Sequence, residues 1–181
     1  MTKYGSSALG LSALNFMLNN IRLFLIAGWL GAAIFFSSVV APGAFRVLRT
    51  FDLPNQSEIA GALVSHTLSI INFIGLIVSA LVIVITIALK NTLPRRRFSL
   101  QIILMMILGT ATAVGEWVIA ARMRGLRAAF RGPIDQVPPD DAGRIAFAAL
   151  HGYSVVALSV AMIAALIAFL VISKRALPER E

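Results

Sequence analysis

Residues 59–89 read IAGALVSHTLSIINFIGLIVSALVIVITIAL, thirty-one consecutive positions without Asp, Glu, Lys or Arg. A bilayer core about 30 Å thick is crossed by about 20 helical residues rising ~1.5 Å each, so one helix here is long enough to span. Continued to Lys90 it measures about 48 Å, which implies tilt or protrusion beyond the lipid. Three more apolar stretches flank it, at about 21–41, 98–120 and 143–173. Apolar residues make up 59% of the chain and charged residues 13%, with a mean hydropathy of +0.88. A soluble domain of this size has no way to cover so much apolar surface. The expected fold class is all-α, a polytopic bundle of four transmembrane helices forming one membrane domain over residues 1–181, with the lipid bilayer as its first partner.

The charge pattern and the missing cysteines narrow the function. With no cysteine in the chain, disulfides, thiolate metal sites and redox thiols are excluded. The net charge of +8 comes from residues at the ends of the apolar runs, a pattern of headgroup anchoring rather than nucleic-acid binding. The N-terminus does not read as a signal peptide, because the apolar run after Arg22 is too long for one. Nine basic residues fall on the side of the N-tail, the 90–97 loop and the C-tail, and seven on the other. Both termini are therefore expected in the cytoplasm.

Smaller features set expected boundaries. Leu11, Leu14, Phe16 and Leu18 form one face of a short interfacial helix. Pro42 and Gly43 end the first span, with Phe45 to Arg49 lying along the interface. Pro54, Asn55 and Ser57 form a turn in which Ser57 caps the second helix, and Asn91 to Arg97 form a basic turn that signals topology. The third helix continues as a basic segment from Arg122 to Arg131. Asp135 serves a turn, and Asp140 or Asp141 caps the fourth helix. Gly28 and Gly31, with Ala32 and Ala33, are expected to allow close helix packing. Trp29 and Trp117 are core or interfacial residues. No nucleophile–base–acid set, phosphate-binding loop or dinucleotide fingerprint is present, so a non-enzymatic protein is expected.

A pattern occurs twice. Arg46-Val47-Leu48-Arg49 closes the first span and His66-Thr67-Leu68-Ser69 lies in the second; Arg124-Gly125-Leu126-Arg127 closes the third and His151-Gly152-Tyr153-Ser154 lies in the fourth. The repetition points to two copies of one helical hairpin, related by an axis along the membrane normal. His66 precedes Lys90, and His151 precedes Lys174, by nearly the same distance, so both imidazoles sit at one depth toward the outer surface. Glu116, an acid inside a span, reaches that level from the opposite direction. Ser65, Ser69 and Asn72 add a polar stripe beside His66, and Ser154 lies one turn from His151.

His66, Glu116 and His151 together suit a divalent metal or a proton-carrying site. The two histidines alone suit a b-type haem, and simple interhelical hydrogen bonding is the plainer alternative. Arg46, Arg49, Arg124 and Arg127 suit an anion or lipid headgroups. A transporter or binding protein needs an oligomer to complete a path across the membrane. An assembly role needs another membrane subunit instead.

Trp29-Leu30-Gly31, Ala41 to Arg46, Arg122 to Arg127 and Phe147 to Ser154 resemble the transmembrane protein 205-like, domain-of-unknown-function family. The likeness covers nearly the whole chain and implies a small four-helix protein of a bacterial inner membrane, with no established reaction. A vertebrate relative's association with platinum-drug resistance implies transport or trafficking. Ala157 stands where the resemblance leads one to expect asparagine. A looser likeness to copper-resistance membrane domains carries no residues over.

Overall fold

The computed structural model describes residues 3–51, 53, 55–130 and 132–174, without the side chains of 3–9, 11 and 135. Pro54, Arg131, the side chains of Leu11 and Asp135, and the C-tail charges beyond Lys174 lie outside the described residues, while the turn expected at Asp135 is present as Ile134–Gln136. Helix α1 (Lys3–Phe35) passes through a π-helical turn (Phe36–Val40) into α2 (Ala41–Leu48). Helix α3 (Gln56–Ala88) returns. Helix α4 (Arg95–Ala113) passes through a second π-helical turn (Val114–Ala120) into α5 (Ala121–Ala129), and α6 (Ala142–Ser173) completes the chain. Four of these helical rods are long and apolar enough to cross a membrane, and no strand occurs among the described residues. This is an integral membrane protein with the all-α, four-span architecture expected of it.

Several boundaries differ from expectation, each for a local reason. The chain stays helical through Pro42. Proline removes one N–H, and its ring crowds the carbonyl four residues back. The widened turn just before it relieves that crowding: the Ala41 N–H reaches the Phe36 carbonyl, five residues back. Ser37 and Ser38 hydroxyls donate to the Ala33 and Ile34 carbonyls at 2.8 and 2.6 Å. The helix therefore runs on through Pro42 to Leu48 instead of ending there.

Residues 12–18 form no separate interfacial helix either, because they continue straight into the first span. The cap of α3 is Asn55, whose backbone carbonyl accepts from Glu58 and Ile59 N–H at 3.0 and 3.1 Å, with Ser57 already inside the first turn. Arg95, Arg96 and Arg97 form the exposed first turn of α4 rather than a loop. Of the two candidate caps for α6, Asp141 does the work, its side chain accepting from the Arg144 N–H at 3.0 Å.

The rods form a ring in which α1 and α4 each pack against both α3 and α6. Close approach is made by small residues, as membrane bundles require. Ala161, Ala164, Ala165 and Ala168 give α6 a buried stripe. On α3 and the third span, three glycines admit neighbouring side chains. A Cβ on Gly75 would fall 2.7 Å from Trp29 Nε1, one on Gly109 2.7 Å from Ser79 Oγ, and one on Gly115 3.2 Å from the Asn72 amide. Gly28 and Gly31, expected to serve this purpose, have open space around them. Trp29 is buried and donates to the Ile71 carbonyl at 2.9 Å, whereas Trp117 is 57% exposed.

Beyond the two π-helical turns the ring loosens. Helix α2 stays with α3, and α5 stays with α6, without comparable backbone approach between α2 and α6 or between α3 and α5. This end of the bundle thus loosens into two hairpins, which meet again where α3 packs on the single turn Ile134–Gln136.

Candidate functional site

Where the hairpins part, a cavity of about 630 Å³ opens. Helix α3 contributes Ser65, His66, Ser69 and Asn72 to its wall, and α6 contributes His151 and Ser154. The third span contributes Glu116, Arg124 and Arg127. Apolar side chains complete the lining, among them Phe36, Leu68, Leu158 and Met162. Nine of the residues singled out in the sequence therefore share one cavity. Arg46 and Arg49 do not: both are exposed and neither lines it. The helix continues through Pro42 and carries them beyond Ala41, the last residue of α2 that lines the cavity.

The charges at the cavity are loosely paired. Arg124 Nη1 lies 3.4 Å from Glu116 Oε1, with the two side chains 62% and 16% exposed. Arg127 Nε lies 3.3 Å from Glu58 Oε1, bridging α5 to α3 across the parting. Contacts this long and this open to solvent contribute about 0–1 kcal/mol each. Each pair also leaves a buried polar atom without a partner, Glu116 Oε2 and Arg127 Nη2. Both atoms are closed off from solvent although their residues line the cavity, so a partner reaches them only if the side chains move.

The metal expectation is not carried by this arrangement. Among the described residues, no group of three His, Cys, Asp or Glu side chains is placed to hold a metal ion. Glu116 turns one oxygen to the Arg124 guanidinium, whose charge opposes a cation at that carboxylate. His66 and His151 are both exposed at the cavity.

A second polar centre, absent from the sequence expectations, lies at the other end of the bundle. Arg22, placed by its sequence at the flank of the first span, is 1% exposed. Its Nη1 donates to Thr86 Oγ1 at 3.1 Å and Gln101 Oε1 at 2.9 Å, and its Nη2 donates to Asn19 Oδ1 at 2.7 Å. One guanidinium thereby joins α1, α3 and α4. A signal was present in the sequence: Glu58, Ser65, Asn72, Ser79 and Thr86 recur every seven residues along α3. Of these, Asn72, Ser79 and Thr86 are buried. The stripe runs from the cavity to Arg22, and the polar stripe expected beside His66 is its first half.

No curated protein and no solved structure matches the chain. The model of a family described as a domain of unknown function (DUF4149) matches residues 24–132. That stretch takes in both π-helical turns, His66, Glu116, Arg124 and Arg127, and stops before α6. Covering more than half of the chain, it shows that this four-helix membrane protein belongs to that family.

Proposed function

We propose that this is a non-enzymatic binding or transport protein whose ligand occupies the outer-end cavity. The observation that carries the reading is a cavity of about 630 Å³ whose mostly apolar wall holds Glu116, Arg124, Arg127, His66 and His151. That volume falls in the range of small-molecule sites, which combine an apolar lining with a few polar groups that fix orientation. The resemblance to transmembrane protein 205-like proteins leans the same way, toward transport or trafficking. Four helices leave little room for a complete path, so transport would engage a homo-oligomer. In this reading the protein sits in a bacterial inner membrane with both termini cytoplasmic, and the cavity faces the opposite side.

Mass spectrometry of the purified protein tests the proposal. Wild type should carry a co-purifying small molecule that is absent from Ser154→Phe, a variant that fills the cavity from α6. Identical small-molecule content in both proteins would sink it. The chain's two histidines share this cavity, which favours a second reading, a bis-histidine haem. A Soret band lost in a His66→Ala, His151→Ala double variant would establish that reading in place of the first.

A further inference from the structure

We infer that the cavity takes an uncharged, largely apolar molecule that presents a hydrogen-bond donor and acceptor side by side, as a carboxamide or lactam does; this rests on the cavity being a ligand site. The group that reads it is the side-chain amide of Asn72. Of the α3 residues that line the cavity, Asn72 lies farthest from the outer end, and it is only 5% exposed. Its side chain lies against Gly115, where a Cβ would fall 3.2 Å from Nδ2 and 3.6 Å from Oδ1. Glycine there leaves room for the amide and offers it no side-chain partner.

Neither the Asn72 carbonyl nor its NH2 group makes a hydrogen bond among the described residues, and neither is closed off from the cavity. This separates Asn72 from Glu116 and Arg127, whose unpartnered atoms are sealed away. The next buried members of the same stripe are satisfied: Ser79 donates to the Leu76 carbonyl, and Thr86 accepts from Arg22. An amide inside a membrane bundle is costly without partners, so the one that faces the cavity calls for a partner from it. A side-chain amide offers one acceptor and two donors. A hydrocarbon meets none of them, and an ester or carboxylate brings acceptors only. A carboxamide or lactam brings N–H and C=O together and closes two hydrogen bonds at once, the geometry by which asparagine reads an adenine edge.

The charges favour a neutral molecule. Arg124 faces Glu116 and Arg127 faces Glu58, one carboxylate to each guanidinium. An ion entering this mostly apolar cavity finds a counter-charge only by breaking one of these pairs, which leaves the other member unpaired. An uncharged molecule disturbs neither pair.

The test uses the full-length protein purified in detergent and three probes built on one ring system: naphthamide, methyl naphthoate and the naphthoate anion. Binding is read from probe fluorescence, with empty micelles as the blank. Naphthamide is expected to bind saturably, with the ester and the anion weaker by about tenfold, because both leave the Asn72 carbonyl without a donor. Asn72→Leu should erase the preference for the amide. It removes an unpartnered group rather than a bond, so its unfolding temperature without probe should match or exceed that of wild type. Ser154→Phe should abolish naphthamide binding by filling the cavity.

Equal or tighter binding of the ester or the anion in wild type overturns the inference, as does an amide preference that survives Asn72→Leu. A lower unfolding temperature for probe-free Asn72→Leu would assign the amide to the fold itself and overturn it too. If naphthamide does not bind at all, the inference falls. In that case a co-purifying molecule lost in Ser154→Phe leaves the cavity's role as a ligand site standing, and the lack of any such molecule removes both.

Discussion

At the scale of single residues, Arg22 stands out as a charged group that is 1% exposed. A guanidinium in a span is costly unless its donors are met, and here three neutral side chains from α1, α3 and α4 accept from its two terminal nitrogens. Arg22→Met should destabilise the protein by about 1–3 kcal/mol, because Gln101 and Thr86 lose their donor inside the bundle. Adding Gln101→Leu should restore much of that loss, since replacing both partners of a buried polar pair is close to neutral. Thermal unfolding in detergent reads both, and a double variant no more stable than the single one would refute the account. Gly75 offers a second test. Its missing Cβ leaves room for Trp29 Nε1 and the Thr112 methyl, at 2.7 and 2.8 Å from where that carbon would sit. Gly75→Ala should cost about 1–3 kcal/mol through overpacking. Gly28→Ala, in open space, should stay within about 0.5 kcal/mol of wild type.

At the scale of elements, the two π-helical turns matter most. They occupy matching places in the first and third spans and precede the matching Arg-x-Leu-Arg segments. Widened turns of this kind occur often at functional sites. Glu116 lies within one of them, and Phe36 and Ser37 within the other, all four helical rods thereby contributing to the cavity. Beyond these turns the hairpins α2–α3 and α5–α6 are joined by the Glu58–Arg127 contact and by packing of α3 on the turn Ile134–Gln136. The pair is partly exposed, so a Glu58→Gln, Arg127→Gln double-mutant cycle should give a coupling of no more than about 1 kcal/mol. Amide exchange should be faster in Phe36–Val40 and Val114–Ala120 than around the fully buried Met105 and Leu108. Uniform protection along the third span would contradict a loosened outer end.

At the scale of the whole molecule, orientation is open to a direct experiment because the chain has no cysteine of its own. Ser65→Cys and Ser154→Cys should react with a membrane-impermeant maleimide from the same side, the outer one, and Asn91→Cys only from the cytoplasmic side. Labelling of Ser65→Cys and Asn91→Cys from one side would overturn the up-and-down arrangement. The finding that Arg22 is buried inside the bundle removes it from the flanking charges. Orientation then rests more heavily on Arg95, Arg96 and Arg97, which are exposed at the start of α4.

Hydropathy and the fixed helical rise were sufficient by themselves to establish four spans and to bring His66, His151 and Glu116 to one level. Both properties act along the helix axis and survive in a linear reading. Rotation about that axis is a different matter. In water, an amphipathic stripe reveals which face turns inward. In lipid, the outside of the bundle is as apolar as its core, and that stripe fades. Only the tertiary structure could therefore decide that Gly75 and Gly109, rather than Gly28 and Gly31, face a neighbouring helix. The same ambiguity hid Arg22 and let Glu116 be read as a partner of two histidines when it turns toward Arg124. The exclusion of Arg46 and Arg49 has a separate cause. A proline read locally ends a helix, whereas a widened turn just before it lets the helix go on.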